Sequence, residues 1–202
     1  MKSSQIKHFL LQYLIQGRAY PAVTEGTFLG IVDVLAIKDL KYVMDFEVKV
    51  SKADLTSELD TIEYLYKGIK RSDKPFAKLS KHRIMHDAVF GDQSQFNTWY
   101  SSYNINPRQK SPNYFCFALP EKLADYAVSR LQGTPYGVIA FNEAEGFNSM
   151  RVAKRNGRIH DEDVLKDAIY RILMKGADAH YELFLQKLIK KDLTSPVTDG
   201  NL

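Results

Sequence analysis

The sequence predicts an α/β fold: a single domain with a central mixed β-sheet flanked by helices. Three observations carry this. The stretch from Asn113 to Leu119 is nearly all apolar and ends at Pro120, the pattern of a strand covered on both faces. A helical stretch from Pro120 to Leu131, closed by Gly133, separates it from a second apolar strand, Tyr136 to Phe141. Strand, helix and strand at this spacing make a crossover, so the sheet is at least partly parallel. Upstream, strand-like stretches at about Thr27 to Ile37 and Tyr42 to Val50 are joined by the short turn Lys38 to Lys41, which makes an antiparallel hairpin.

Taken in order, Ser4 to Ile15 reads as a helix, with Ile6, Phe9, Leu10, Tyr13 and Leu14 at helical spacing and Gly17 past its end. A connector containing Pro21 and Glu25 leads into the hairpin. Ser51 with Asp54 three residues on is a capping-box variant, and the helix it opens carries Leu55, Leu59, Ile62, Tyr66 and Ile69 on one face. Asp73 and Pro75 suit the start of a second helix, to about Phe90 and basic on one side. Gly91 to Ser111 is polar and reads as a loop or insertion, with Trp99, Tyr100 and Tyr103 packing it onto the domain. After the crossover unit, Phe147 to Lys154 reads as an edge strand. Asp161 caps a helix to about Lys175, and another runs from Asp178 to Lys190. The order is α-β-β-α-α-β-α-β-(β)-α-α, which one mixed sheet with helices on both faces accommodates. The domain spans residues 1–191, with a core at about 4–141, a basic segment and helices at 147–191, and a flexible tail at 192–202.

The chain of 202 residues is long enough for a sizeable core, and its 45% apolar and 26% charged content is ordinary for a globular protein. No apolar run is long enough to span a bilayer, so no membrane partner is expected. The single cysteine, Cys116, sits in an apolar run, reads as a core residue, and has no partner for an internal disulfide. An intracellular, cytoplasmic setting follows as an expectation. Net charge is only +4, but its distribution is uneven. Seven Lys or Arg face two acids between Lys67 and Asp87, and four face none between Phe147 and His160. Two such clusters suggest a surface for a polyanion.

The sharpest signal lies in the hairpin. Asp33 interrupts an apolar run, and Glu47 and Lys49, two apart on a strand, point to the same side. Buried charges are usually paired or bound to metal. Asp33 and Glu47 can offer two carboxylates from rigid backbone, and the Val48 carbonyl a third oxygen, to a hard cation such as Mg2+. A metal-activated water beside Lys49 is a nucleophile for a phosphodiester. The lysine serves either as base, if its pKa is lowered, or as a cation stabilising the transition state. Asp45, on the same face, is expected to be solvent-exposed. His82 and His86, four apart on a predicted helix, are expected to contact phosphate or lie on the surface.

Asp33 followed fourteen positions later by Glu47-Val48-Lys49, on a hydrophobic strand, resembles the PD-(D/E)xK nuclease superfamily. Val32 stands at the position of the proline in that name. The segment Glu47 to Leu55 is similar to a branch that includes DNA-repair and phage-associated nucleases. The resemblance covers roughly Glu25 to Phe141 and implies a restriction-endonuclease-like α-β-β-β-α-β core. It further implies Mg2+-dependent DNA cleavage, with Mn2+ as substitute, by an endonuclease of repair, recombination or phage DNA processing. The family often draws another metal ligand from its first helix. That helix has no acid here, so Glu25 is the substitute. Lys78 and Lys81 match a basic or amide residue on the helix after the motif. With Arg83, Arg151, Lys154 and Arg155 they form the expected nucleic-acid-binding set. Symmetric cleavage of both strands would call for a homodimer. The competing expectations are a catalytically inactive nucleic-acid-binding protein that keeps the fold, and an interaction subunit.

Overall fold

The computed structural model describes residues 1–73, 75–90, 108, 111–142, 144, 150–166 and 168–169. Helix α1 (Ser3–Gln12) continues into a π-helical turn (Tyr13–Gly17). Then come β1 (Ala22–Thr24), β2 (Thr27–Phe28), β3 (Gly30–Ile31), β4 (Val34–Lys38) and β5 (Tyr42–Val48). Helices α2 (Lys52–Lys67) and α3 (Leu79–Phe90) follow, then β6 (Tyr114–Pro120), a 3-10 turn (Glu121–Leu123), α4 (Ala124–Arg130), β7 (Gly137–Phe141) and β8 (Arg151–Lys154). The expected insertion at 91–111 with its aromatic residues falls, apart from Arg108 and Ser111, outside the described residues, as do the chain beyond 169, the helix at 178–190 and the tail; the helix expected from Asp161 begins instead at Leu165, whose N–H donates to Asp163 Oδ1 at 3.0 Å.

Six strands form one mixed sheet in the order β1-β4-β5-β6-β7-β8. β4 is antiparallel to both β1 and β5, β5 is parallel to β6, β6 is parallel to β7, and β8 is antiparallel to β7. The α/β class, the hairpin and the parallel crossover are therefore as the sequence predicts. The first strand is not. Thr27 to Ile37 splits into the small β2–β3 hairpin and β4, because Gly30 adopts φ 81°, a left-handed conformation that turns the chain. Asp33 is thereby left just before β4 instead of within a ladder.

Strand alternation sorts the core into two faces. On one, Ile6 and Leu10 of α1 and Leu14 of the π-helical turn pack on Val34, Phe46, Val48, Cys116 and Ala118. On the other, Leu55, Leu59 and Ile62 of α2 and Met85 of α3 pack on Phe115, Phe117, Tyr136 and Val138. Every residue of β6 is buried, and Cys116 is a free, buried thiol as expected. Ser51 caps α2, its Oγ accepting the Asp54 N–H at 3.1 Å, and Gly68 at φ 68° ends it. The helix after it begins at Leu79, later than Pro75. No helix among the described residues is long and apolar enough to cross a membrane.

Candidate active site

Strand β5 delivers Asp45, Glu47 and, just past its end, Lys49 to the face covered by α2 and α3, because Phe46 and Val48 go to the α1 side. Asp33 meets this strand at its end. Its Oδ2 accepts the Val48 N–H at 2.8 Å, replacing the ladder partner that β4, starting at Val34, does not supply. A strand residue's N–H and C=O face the same edge, so the Val48 carbonyl also lies on the Asp33 side. The other Asp33 oxygen is 2.7 Å from Lys7 Nζ, and the same ammonium is 3.4 Å from Glu25 Oε1. Burial lowers the Lys7 pKa, but Asp33 and Glu25 outweigh it and the net shift is upward. Glu25 is thus joined to Asp33 through Lys7. It is itself largely exposed.

Glu47 is enclosed by three ammonium groups: Lys49 at 3.0 Å, Lys81 at 3.2 Å, and Lys78 in direct contact. Lys78 holds φ 52°, in the left-handed region, one residue before α3. That conformation costs a non-glycine residue about 1 kcal/mol or more, and such strain tends to collect at functional sites. A further carboxylate comes from α2. Glu58 Oε2 lies 2.7 Å from Lys49 and 3.8 Å from Lys78. Glu58 Oε1 is 2.8 Å from His82 Nε2, and His82 Nδ1 lies 3.4 Å from the Tyr136 hydroxyl. Burial works to raise the Glu58 pKa. The His82 hydrogen bond and the charges around it overcome this and hold it well below the usual carboxylate range. Burial pushes the His82 imidazole down, against the pull of Glu58. A neutral ring donating from Nε2 to an ionised Glu58 satisfies both. Burial would lower Lys49 as well, yet Glu58 and Glu47 more than reverse it, and the net shift is upward.

Asp45 corrects an expectation. It is fully buried, and burial lifts its carboxyl to about 6 despite Lys81. Lys81 Nζ is 2.8 Å from Oδ2, an ion pair by distance, but neither carboxylate oxygen has an aligned hydrogen-bond donor. His82 is likewise buried instead of facing solvent, and His86 lies 3.1 Å from Asp87.

The expected nucleic-acid-binding residues are divided by the fold. Lys78 and Lys81 reach the site, although Lys81 is buried between Asp45 and Glu47. Arg83 pairs with Asp87 at 3.1 Å, one turn along α3. Arg151 bonds Glu121 at 2.8 Å. Lys154 turns inward, donating to the carbonyls of Thr134 at 2.9 Å and Tyr136 at 2.5 Å. Arg155 is exposed, beyond β8 and three strands from β5.

Lys7 and Glu58 belong to the site but carry no assigned role in the sequence, and Asp45 and His82 join it from positions expected on the surface. Glu58 had a legible signal: it sits between Leu55, Leu59 and Ile62 on the apolar face of its helix, the same buried-charge anomaly that marks Asp33. Lys7 had none, since its partner is 26 positions away in the chain.

For a divalent cation the available donors are hard oxygens: the Asp33 and Glu47 carboxylates and the Val48 carbonyl. That set fits Mg2+, which keeps several waters and takes few protein ligands. Among the described residues, no three His, Cys, Asp or Glu side chains group to hold a metal.

No protein-family model matches the chain, and no curated protein matches it. A solved structure of a protein of unknown function from Silicibacter pomeroyi is similar over 98% of this chain and 99% of that one, with a TM-score of 0.49 and 11% identity. A likeness this slight carries no functional argument.

Proposed function

We propose that the chain is a metal-dependent phosphodiester hydrolase that cleaves DNA, an endonuclease of the PD-(D/E)xK kind. The observation that carries this reading is the junction at the end of β5. There Asp33 hydrogen-bonds the Val48 main chain while Glu47 and Lys49 flank the same residue. The order α1, β1, β4, β5, α2, β6, with three antiparallel strands followed by a parallel one, supports the restriction-endonuclease-like core.

Asp33, Glu47 and the Val48 carbonyl would hold Mg2+ or Mn2+. When bound, the cation supplies charge neutralisation at the phosphate and an activated water. Lys49, an ammonium between two carboxylates, contributes positive charge to the developing pentavalent transition state. Lys78, partly exposed at the rim, would meet a phosphate oxygen. The four lysines near the site (Lys7, Lys49, Lys78, Lys81) offset the charge of its carboxylates and so lessen the repulsion of a polyanion.

The test is cleavage of supercoiled plasmid, branched duplex and single-stranded DNA with Mg2+, Mn2+ or EDTA. The expected result is metal-dependent nicking that disappears in Lys49→Ala. Cleavage that survives Lys49→Ala, or that ignores EDTA, overturns the assignment. A second reading, a DNA-binding protein that keeps the fold without the chemistry, is favoured by one contact: Lys7 already neutralises Asp33 at 2.7 Å. Salt-sensitive DNA binding without heat of Mg2+ binding in calorimetry would select it.

A further inference from the structure

We propose that Glu58, braced by His82, is the positioning residue that holds Lys49 in place independently of Glu47. This inference rests on the nuclease reading for its role in turnover, but not for the anchor itself. Glu47, Lys49, Glu58 and Lys78 form a ring in which each carboxylate touches both ammonium groups. The two carboxylates are not equivalent. Glu47 lies beside Val48 and Asp33, where a cation would draw its charge away from the lysines. Glu58 cannot follow. It is 1% exposed, its second oxygen is tied to His82 at 2.8 Å, and His82 is wedged between Tyr136 and Phe115, with ring centroids 5.6 Å and 5.5 Å away.

The lysines differ in the same way. Lys49 is 2.7 Å from Glu58, whereas Lys78 is 3.8 Å away and its side chain is 35% exposed. Drawing Glu47 toward a cation therefore leaves Lys49 with a full partner and Lys78 with almost none. With a cation bound, Lys49 would keep its Glu58 anchor, and Lys78 would be left to meet a substrate phosphate. The carboxylate that orders the site thus comes from α2, downstream of the motif, and not from the first helix. A lysine that loses its anchor shifts on the ångström scale, enough to cost a large factor in turnover.

The experiment has two arms on the full chain. In the first, metal-free protein is treated at one pH with an amine-acylating reagent, and Lys49 labelling is read by peptide mass spectrometry against the exposed Lys122. Glu58→Gln is expected to raise the labelling rate of Lys49 about tenfold, in the range seen when a buttressing partner is lost. In the second arm, kcat and KM for Mg2+-supported DNA cleavage are compared. Glu58→Gln is expected to lower kcat about 10²-fold with KM within about twofold. His82→Ala should move both readouts the same way, and His82→Gln, which can still donate to Glu58, should restore most of the loss. Unchanged Lys49 labelling in Glu58→Gln overturns the anchor, and raised labelling with unchanged kcat overturns the positioning role. Raised labelling in a chain whose wild type cuts no DNA upholds the anchor and removes the nuclease reading instead. Where Glu58→Gln does not fold, His82→Ala carries the same two readouts, because it leaves both carboxylates in place.

Discussion

Helix α2 contributes a buried glutamate to each of two ion clusters, and the two are built differently. Glu63 is held mainly by arginines, Arg130 Nε at 3.1 Å and Arg71 Nε at 2.5 Å, with Lys67 more distant at 3.6 Å and Arg130 also 2.6 Å from Asp60 and 2.8 Å from the Tyr126 hydroxyl. Glu58 is held by Lys49 and His82, next to Glu47 with its three lysines. Guanidinium forks saturate carboxylates in fixed geometry, and their charge does not exchange. Ammonium groups are compact point charges with rotatable donors, so they can change partners. The Glu63 cluster ties α2 to α4 and has no strand-end acids beside it. The Glu58 cluster faces a rim where an exposed lysine and two strand-end carboxylates meet. Burial alone does not separate the two clusters; the kind of cation that dominates each does.

The comparison breaks most decisively at Glu47. Glu47→Gln should lower metal-dependent DNA cleavage by about 10³-fold, comparable to losing an electrostatic group that acts on the transition state. A gel assay reads this directly. Glu63→Gln should do the reverse. It weakens the hold on Arg130, which keeps Asp60, and on the half-exposed Arg71, so urea unfolding should show a loss of about 2 kcal/mol, as for lost charged hydrogen bonds, while cleavage per folded molecule stays at the wild-type rate. A Glu63→Gln protein that is fully stable but inactive would erase the distinction between the clusters.

Acid provides a milder probe. Burial works to raise the Glu63 pKa, but Arg71 and Arg130 hold it down to about 2, against 4.5 for a free side chain. Between those values the unfolded chain binds the proton more readily. The stability it contributes is therefore complete above about pH 4.5 and is lost as pH falls toward 2. The Glu63→Gln melting curve should be flatter over that acid window than the wild-type curve.

The smallest effect separates the two basic segments. Lys78→Ala should reduce the slope of log binding against log salt by about 1 for duplex DNA, the signature of one phosphate contact. Lys154→Ala should leave the slope unchanged, because the Lys154 ammonium faces two main-chain carbonyls. An equal drop for both would mean that β8 meets DNA after all.

Much of the fold could be read along the chain because its signals are local. The apolar run at β6, the cap at Ser51 and the two-residue spacing of Glu47 and Lys49 each follow from side-chain type and backbone period. Where the reading failed, a distant contact or a single φ intervened. The left-handed Gly30 broke one expected strand into a small hairpin and β4. Asp45 looked like a solvated acid, since nothing near it in the chain reveals that α3 brings Lys81 over it. Lys154 read as part of a phosphate surface because composition records charge and not direction, and its ammonium turns to two main-chain carbonyls.

By itself the sequence determined the α/β class, the parallel crossover and the identity of Asp33, Glu47 and Lys49 as an anomalous set, because periodicity and burial cost are properties of neighbouring residues. Only the tertiary structure decided which charges meet. Lys7 comes to Asp33 from the helix on one face of the sheet, while Glu58, Lys78 and His82 come to Glu47 and Lys49 from the elements on the other. Electrostatic energy depends on separation in space, and chain separation sets no scale for it.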